Sequence, residues 1–317
     1  MALSLGAEGV THLEGGQWEA SVNYRYLPTH NGYIGDQVWP QYPEVQGARI
    51  RIHSIDVQVT YAFSSRYSAT LTMPFVRGEI SSLFEHNGTR HATSAGGLGD
   101  IRLIGSAWLL DPETHKDGNL SLGVGVKAPT GNEKATGTFY TSTGPETRTV
   151  HMGIQPGDGG WGIQLELAGY RKIIERLHGY VSGFYLINPR EQQDAITTVA
   201  IYGQFRNLSV PDQYLGRVGL SYAVWPEQGL SLSVGGRTDG VPSRDLVGGS
   251  EGFRLPGLAI YVEPGVSWTR GEGTFNFYAP VLTYANRTKN IYDDRYGGHG
   301  PGAFADYLLI ASFTRRY

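Results

Sequence analysis

Eight ionisable residues recur at alternate positions within otherwise uncharged segments: Glu19, Arg25, Asp56, Arg102, Lys127, Glu166, Arg217 and Glu263. Four are acids and four are bases, so the chemistry they offer is mutual pairing. A selective ion pore concentrates one sign at its constriction, whereas a balanced set cross-links an enclosed polar interior. Nucleophilic hydrolysis would need a serine in bonding reach of a histidine, and His178 with Ser182 is the pair that shares one parity of a candidate strand. There is no His-Glu-x-x-His zinc motif and no phosphate-cradling glycine loop. Asp293 and Asp294 stand side by side in a glycine-rich stretch, but outside any calcium-loop spacing. These residues argue for a chain that is not an enzyme and that uses no metal and no cofactor.

The elements that position the eight charges are strands. The 317 residues include 45 glycines and 20 tyrosines, no cysteine and only 17% charged residues, with a formal net charge of −3. That glycine share is about twice the usual one, and it points to a β-rich protein. The near-neutral balance supplies no basic field for nucleic acid. Absence of cysteine excludes disulfide scaffolds and thiolate chemistry, and suits passage through an oxidising compartment. No apolar run approaches the ~18 residues of a spanning helix, which leaves open a membrane barrel, whose lipid-facing residues alternate with lumen-facing ones.

Alternation is clear in most of the chain. Trp18, Ala20, Val22, Tyr24 and Tyr26 oppose Gln17, Glu19, Ser21, Asn23 and Arg25; Ile55 to Phe63 and Tyr67 to Phe75 repeat the pattern around a tight turn at 64–66. Similar segments occur at 120–127, 163–168, 217–224, 230–235 and 260–268. Segments 100–110, 179–188 and 275–284 carry bulky residues on both parities, but their β-branched and aromatic content still predicts strands. With 307–317 the count is about twelve. Short connections at 64–66, 111–117, 173–176, 226–229 and 270–273 alternate with long ones at 27–49, 78–97, 128–160, 189–212, 240–257 and 288–306. The expected fold is therefore all-β: a closed antiparallel transmembrane β-barrel of about twelve strands, with short periplasmic turns and long extracellular loops.

Residues 17–317 form the barrel on this reading, and 1–16 a periplasmic segment or partial plug. The N-terminus lacks the charged and apolar regions of an export signal, so an exported chain is expected to have lost its signal already. Aromatics at strand ends, including Trp18, Tyr26, Tyr67, Trp161, Trp268 and Tyr307, suit girdles at the two lipid interfaces. The longest loop, 128–160, is the candidate for folding inward as a constriction or lid.

The chain ends Leu309-Ile310-Ala311-Ser312-Phe313-Thr314-Arg315-Arg316-Tyr317, with Phe313 and the terminal Tyr317 on one parity. This resembles the terminal signal that outer-membrane barrels present to the insertion machinery, with Arg315 departing from its apolar pattern. Ser94-Ala95-Gly96-Gly97-Leu98-Gly99-Asp100 precedes one strand, and Gly123-Val124-Gly125-Val126-Lys127-Ala128-Pro129-Thr130-Gly131 closes another. Together with Met73-Pro74-Phe75 they resemble the outer-membrane barrels assigned to transport in the phenol-degradation meta-pathway, over roughly residues 55–131 and more loosely the C-terminal strand. Gly97, Gly99, Asp100, Pro129, Thr130 and Gly131 carry the likeness. Read without it, the glycines let a loop tighten into a strand, the Asp accepts backbone N–H groups, and the proline stops a ladder.

The resemblance implies a bacterial outer-membrane channel for small hydrophobic or aromatic compounds, acting by passive diffusion through the barrel or a side opening. Its partners would be outer-membrane lipid, the insertion machinery and a small apolar or aromatic solute, and no nucleic acid. The alternatives are a non-conducting structural or interaction barrel and, more remotely, an outer-membrane lipid hydrolase.

Overall fold

The computed structural model describes residues 12–39, 49–82, 89–141 and 143–317. Twelve strands form its wall: β1 (Trp18–Thr29), β2 (Arg49–Ala62), β3 (Tyr67–Ser82), β4 (His91–Leu98 and Arg102–Trp108), β5 (Gly118–Lys127), β6 (Gly162–Ile174), β7 (Leu177–Ile187), β8 (Gln213–Trp225), β9 (Leu230–Val241), β10 (Gly257–Arg270), β11 (Gly273–Tyr278 and Val281–Asn286) and β12 (Leu309–Arg316). Every neighbouring pair is antiparallel, and β1 pairs with both β2 and β12, which closes the barrel. Closure leaves no unpaired edge along that seam, the condition for a sheet to stand in hydrocarbon.

Registers place the two parities on opposite faces. Val22 stands opposite Val57 and Phe313, and Val57 opposite Met73. Outside, Val22, Ile55, Leu103, Val124, Val218 and Val234 are exposed, with Trp18, Tyr67, Trp225, Trp268 and Tyr317 near the short-turn end. Inside are Ser21, Asn23, Asp56, Thr72, Gln164, Asn276, Ser312 and Thr314, all buried. A soluble barrel has the reverse arrangement, apolar within and polar without. Arg315, the break in the terminal pattern, lies outside with its guanidinium 5.2 Å from the Tyr317 ring.

Several strands differ from the expected bounds. β3 runs to Ser82, and His91–Leu98 pairs with it, so much of the stretch expected as loop 78–97 is wall. β9 continues through Gly-Gly-Arg-Thr-Asp-Gly to Val241, where polar residues and glycines hide the alternation. β4 begins its lower half at Arg102, and β11 is interrupted at Ala279 and Pro280, a proline at the break where no ladder donor is needed.

Of the expected N-terminal segment, residues 1–11 lie outside the described residues. Gly16 donates to Ala62 O at 2.7 Å and Leu13 is buried, which sets His12–Gly16 against the mouth of the short-turn end.

The long loops fold over and into the other end. Thr136–Thr141 and Gly144–Thr149 pair as a hairpin, and the chain after it turns inward, packing Val150 and Ile154 against Ile50, Ile80, Ala95 and Ala135. Met152 joins Ala195, Leu208, Phe253 and Leu255, so loops 128–161, 188–212 and 242–256 share one small apolar core. Asp212 and Asp245 reinforce it: Asp212 accepts from Asn188 N and Leu246 N, and Asp245 pairs with the buried Arg254.

Within this cap, His151 caps the short helical turn Met152–Ile154 by accepting Gly153 N–H at 3.0 Å through Nδ1, so the docked loop requires a neutral ring. Burial pushes its pKa down from 6.5 to about 4. A released loop protonates near 6.5 and the docked one only near 4, so docking is at full strength above about 6.5 and weakens as pH falls toward 4. At pH 5 the loss is about 2 kcal/mol. Loop protection from protease should therefore drop between pH 7 and pH 5, and His151→Gln should flatten the profile; an unchanged wild-type profile would contradict the neutral cap.

Candidate functional site

The lumen is divided along its axis. At the short-turn end lies a cavity of about 410 Å³ lined largely by hydroxyls and amides, among them Ser21, Gln58, Thr60, Thr70, Ser121, Ser182 and Thr314, with Glu19, Glu166 and Arg102. At the long-loop end the interior is apolar: Phe184, Leu186, Leu215, Ala259, Tyr261 and Ile310 from the wall meet Ala305 and Leu308 from the last loop. A belt of charge separates the two.

One half of the belt is built on β8, β9 and β10. Arg217 and Arg237 stand opposite each other in the β8–β9 ladder, a like-charge placement that destabilises a sheet unless compensated. Glu263 of β10 compensates both: Arg217 Nε donates to it at 2.7 Å and Arg237 Nη1 lies 3.5 Å away, while Arg237 also donates to Asp239 at 3.0 Å. Glu263 is 0% exposed, so these partners substitute for water it has lost. The Arg217 guanidinium lies 4.7 Å from the Tyr278 ring and 5.8 Å from Tyr180, a cation–π setting. Tyr180 fits because residues 219 and 235 are glycines: a Cβ at either would fall 2.5 Å from its hydroxyl.

The other half lies on β1 to β6. Arg25, Asp56, Arg102 and Lys127 are each less than 6% exposed. Lys127 pairs tightly with Asp158 of the infolded loop and lies 3.6 Å from Asp100. Glu19 and Glu166 sit lower, in the polar cavity, with Glu19 3.5 Å from Arg316 and Glu166 accepting from Gln164 at 2.6 Å. The eight charges picked out by alternation thus fall in one enclosed interior: Arg217 meets Glu263, Arg25, Asp56, Arg102 and Lys127 surround one small void, and Glu19 and Glu166 line the larger cavity. Arg237, Asp239 and Asp158 escaped the sequence reading. The first two share a parity with Gly235 and were discoverable by extending that strand; Asp158 is in a loop, where no periodicity exists to find it.

The glycine motifs meet at one node. Thr130 Oγ1 donates to Gly99 O at 2.7 Å and accepts Ile101 N–H at 2.9 Å, while Gly131 N–H donates to Asp100 Oδ1 at 2.9 Å and Asp158 N–H to Oδ2 at 3.2 Å. Gly99 N–H donates to Pro74 O at 2.7 Å. A Cβ at Gly131 would fall 2.6 Å from Gly157 Cα, so the two backbones cross at a distance that only glycine permits. Gly97 adopts φ +157° beside Pro156, and Pro129 stands where the β5 ladder has ended. Segments 74, 97–101, 128–131 and 156–158 form a clasp that holds the loop over the lumen. Above the clasp, β4 leaves β5: their ladder ends at Arg102 opposite Lys127, and His91–Leu98 is flanked instead by the 136–149 hairpin, through Thr93 Oγ1 donating to Thr138 O at 2.7 Å.

Two other candidates have different roles. Asp293 is a helix-capping residue: its carboxylate accepts from Arg287, Asn290 N, Tyr202 and Gly300 N, which uses both oxygens and leaves neither for a cation. No group of three or more metal-ligating side chains occurs among the described residues. His178 and Ser182 are four residues apart on β7, about 13 Å along a strand, beyond bonding reach. Phe313 and Tyr317 lie exposed on the outer face at the end of β12.

No family model and no curated relative matches the chain. Solved structures do. The chain is similar to the COG4313 outer membrane channel from Pseudomonas putida F1, with 13% identity over 100% of both chains and a TM-score of 0.64. Two further matches cover 96% of this chain and 90% of theirs at a TM-score of 0.47: a Pseudomonas aeruginosa FadL homologue at 9% identity and the Ralstonia pickettii toluene transporter TbuX at 8%. The first match establishes a shared barrel fold along the whole chain.

Proposed function

We propose that the chain is a bacterial outer-membrane channel for small apolar or aromatic compounds. The observation that carries this reading is the apolar interior around Phe184, Leu186, Leu215, Tyr261 and Leu308 at the long-loop end, where a general porin for polar solutes would be lined with hydration-competent groups. The apolar outer face supports a position in lipid with the long loops outside the cell, and the fold it shares with an outer membrane channel supports the same placement. An apolar solute entering from the loop end meets a charged belt, so the resting channel is closed to ions. A sideways passage through the wall would have to open at the end of the β4–β5 ladder, where the clasp bonds now join the two chains. The finer assignment, transport for a phenol-degradation pathway, rests on the clasp motifs of Gly97, Gly99, Asp100, Pro129, Thr130 and Gly131 and belongs to the proposal alone.

Uptake of labelled toluene and of a sugar by cells that carry the chain in a lipopolysaccharide-bearing outer membrane tests this. Toluene uptake should rise several-fold over cells lacking the chain, with no change for the sugar. Equal uptake of both would make it a general pore. One observation favours a second reading: the buried belt of ion pairs also suits a non-conducting structural barrel, and no change for either solute would favour that.

A further inference from the structure

The outer wall changes character at the long-loop end of β2 and β3. On β2 the parity that faces lipid at Tyr61, Val59, Val57 and Ile55 continues as His53, Arg51 and Arg49, and all three of these are exposed. On β3 the same face passes from Leu71 and Phe75 to Arg77 and Glu79. Three guanidinium groups and an imidazole therefore stand on the outside of the barrel with one acid among them. Elsewhere at this end the wall presents Trp161, Ile163, Ile260 and Tyr284.

The ladder makes these bases neighbours. His53 stands opposite Arg77, and Arg51 stands opposite Glu79 with 3.7 Å between their charged atoms. Arg49 and Arg77 make no ion pair among the described residues. Two positions apart on one strand face, Arg49 and Arg51 are about 7 Å from each other, and Arg77 lies diagonal to Arg51. Like charges in such neighbouring positions destabilise a sheet, so the patch calls for an anion among them.

Height on the wall identifies the anion. Tyr61 belongs to the girdle at the short-turn end, its ring 4.5 Å from that of Trp18. From there to Arg51 the strand rises about 33 Å, or about 25 Å along the axis at the usual tilt, which is the height of the apolar band of a membrane barrel. Tyr24 and Tyr26 mark the second girdle: the Tyr24 hydroxyl is 2.8 Å from His53 Nδ1 and the Tyr26 ring 4.9 Å from the imidazole. Arg49 and Arg51 thus lie just beyond the hydrocarbon, on the wall and level with lipid head groups. A soluble acidic protein reaches this face only by displacing lipid. A lipid phosphate reaches it directly and accepts paired bonds from a guanidinium, while its acyl chains run down over the exposed Ile55 and Phe75.

We propose that Arg49, Arg51 and Arg77 form a docking site for the phosphorylated head group of an outer-leaflet glycolipid, the lipid A part of lipopolysaccharide. The site rests on the membrane placement given above, with the long loops outside the cell. Arg77 stands opposite Gly96, next to Gly97 of the clasp, so the docked lipid borders the place where the infolded loop is fastened.

The test is native mass spectrometry of the detergent-purified barrel titrated with bisphosphorylated lipid A, with the same lipid stripped of both phosphates, and with inorganic phosphate as competitor. A basic residue near an anionic lipid surface is worth about fivefold in binding, so Arg49→Gln, Arg51→Gln and Arg77→Gln should each weaken the phosphorylated lipid by about that factor. Wild type should hold the stripped lipid about a hundredfold more weakly, the product of three such losses. Arg171→Gln, exposed on the same parity at the short-turn end, should change nothing. All four side chains are exposed, so each variant should fold, read by heat-modifiable migration on a gel. Equal binding of the two lipids, or an equal loss in Arg171→Gln, would overturn the site. Displacement of the lipid by millimolar phosphate would also overturn it, leaving a free anion site in place of lipid docking. Toluene uptake by cells separates this result from the channel reading: lipid selectivity without uptake would remove the channel and leave the site, and uptake without lipid selectivity would remove the site alone.

Discussion

Glu263→Ala is expected to produce the largest loss of stability in the barrel. Its carboxylate sits between Arg217 and Arg237, which stand directly opposite each other. Removing it leaves two guanidinium groups facing each other inside the wall, with Asp239 beside Arg237 and the Tyr278 and Tyr180 rings beside Arg217. Breaking a buried ion pair from one side costs about 3–5 kcal/mol, because the uncompensated charge remains. The urea midpoint of the folded barrel should fall accordingly. Positive charge would then predominate at the constriction, so any residual current across a planar bilayer should become anion-selective, read as a shifted reversal potential in a KCl gradient. Glu263→Gln, which keeps an acceptor but not the charge, should move both readouts less. Unchanged midpoint and unchanged selectivity in Glu263→Ala would mean that the two arginines are solvated.

Asp100→Ala is expected to release the loop without unmaking the barrel. Asp100 accepts two backbone N–H groups, from Gly131 and Asp158, and neighbours the Lys127 ammonium. Hydrogen bonds to a charged acceptor contribute about 1.5–3 kcal/mol each, so the clasp should weaken by about 3–6 kcal/mol. Asp158 would lose its backbone anchor while keeping Lys127, and the segment that carries Met152 and Ile154 would open more often. Single-channel conductance should rise from a closed baseline, and limited proteolysis should cut within residues 132–160 while the barrel core survives. Asp100→Asn, which retains one oxygen, should fall between. If conductance and cleavage both match the wild type, the clasp does not hold the channel shut.

Both variants act on contacts that no periodic pattern could reveal. The Glu263 partner Arg217 lies 46 residues away in sequence, and Asp100 reaches Gly131 and Asp158 across 31 and 58 residues. The motifs around Gly99 and Thr130 were visible as glycine-rich stretches at strand junctions. Their meeting at one node depended on where the loop folds, and on the single site where Gly131 and Gly157 cross.

What the sequence determined by itself was local. A strand's side chains alternate between faces with period two, so Glu19 and Arg25 had to share a face opposite Val22 and Tyr24 wherever β1 was placed. Alternating short and long connections likewise led to a closed antiparallel barrel with all long loops at one end. The reading failed where both faces are occupied or one face is glycine. The expected loop 78–97 takes in most of His91–Leu98, and the alternation of β9 stops at Gly235, because Ala92, Ser94 and Gly96 in one and Gly236, Thr238 and Gly240 in the other leave the outer face without an apolar signal. Tertiary structure alone decided which inward charges meet, that the loop enters the lumen, and that a polar cavity and a packed apolar cluster lie on either side of the belt. Those outcomes depend on strand register and loop path, which are set by contacts between distant segments once the barrel has closed.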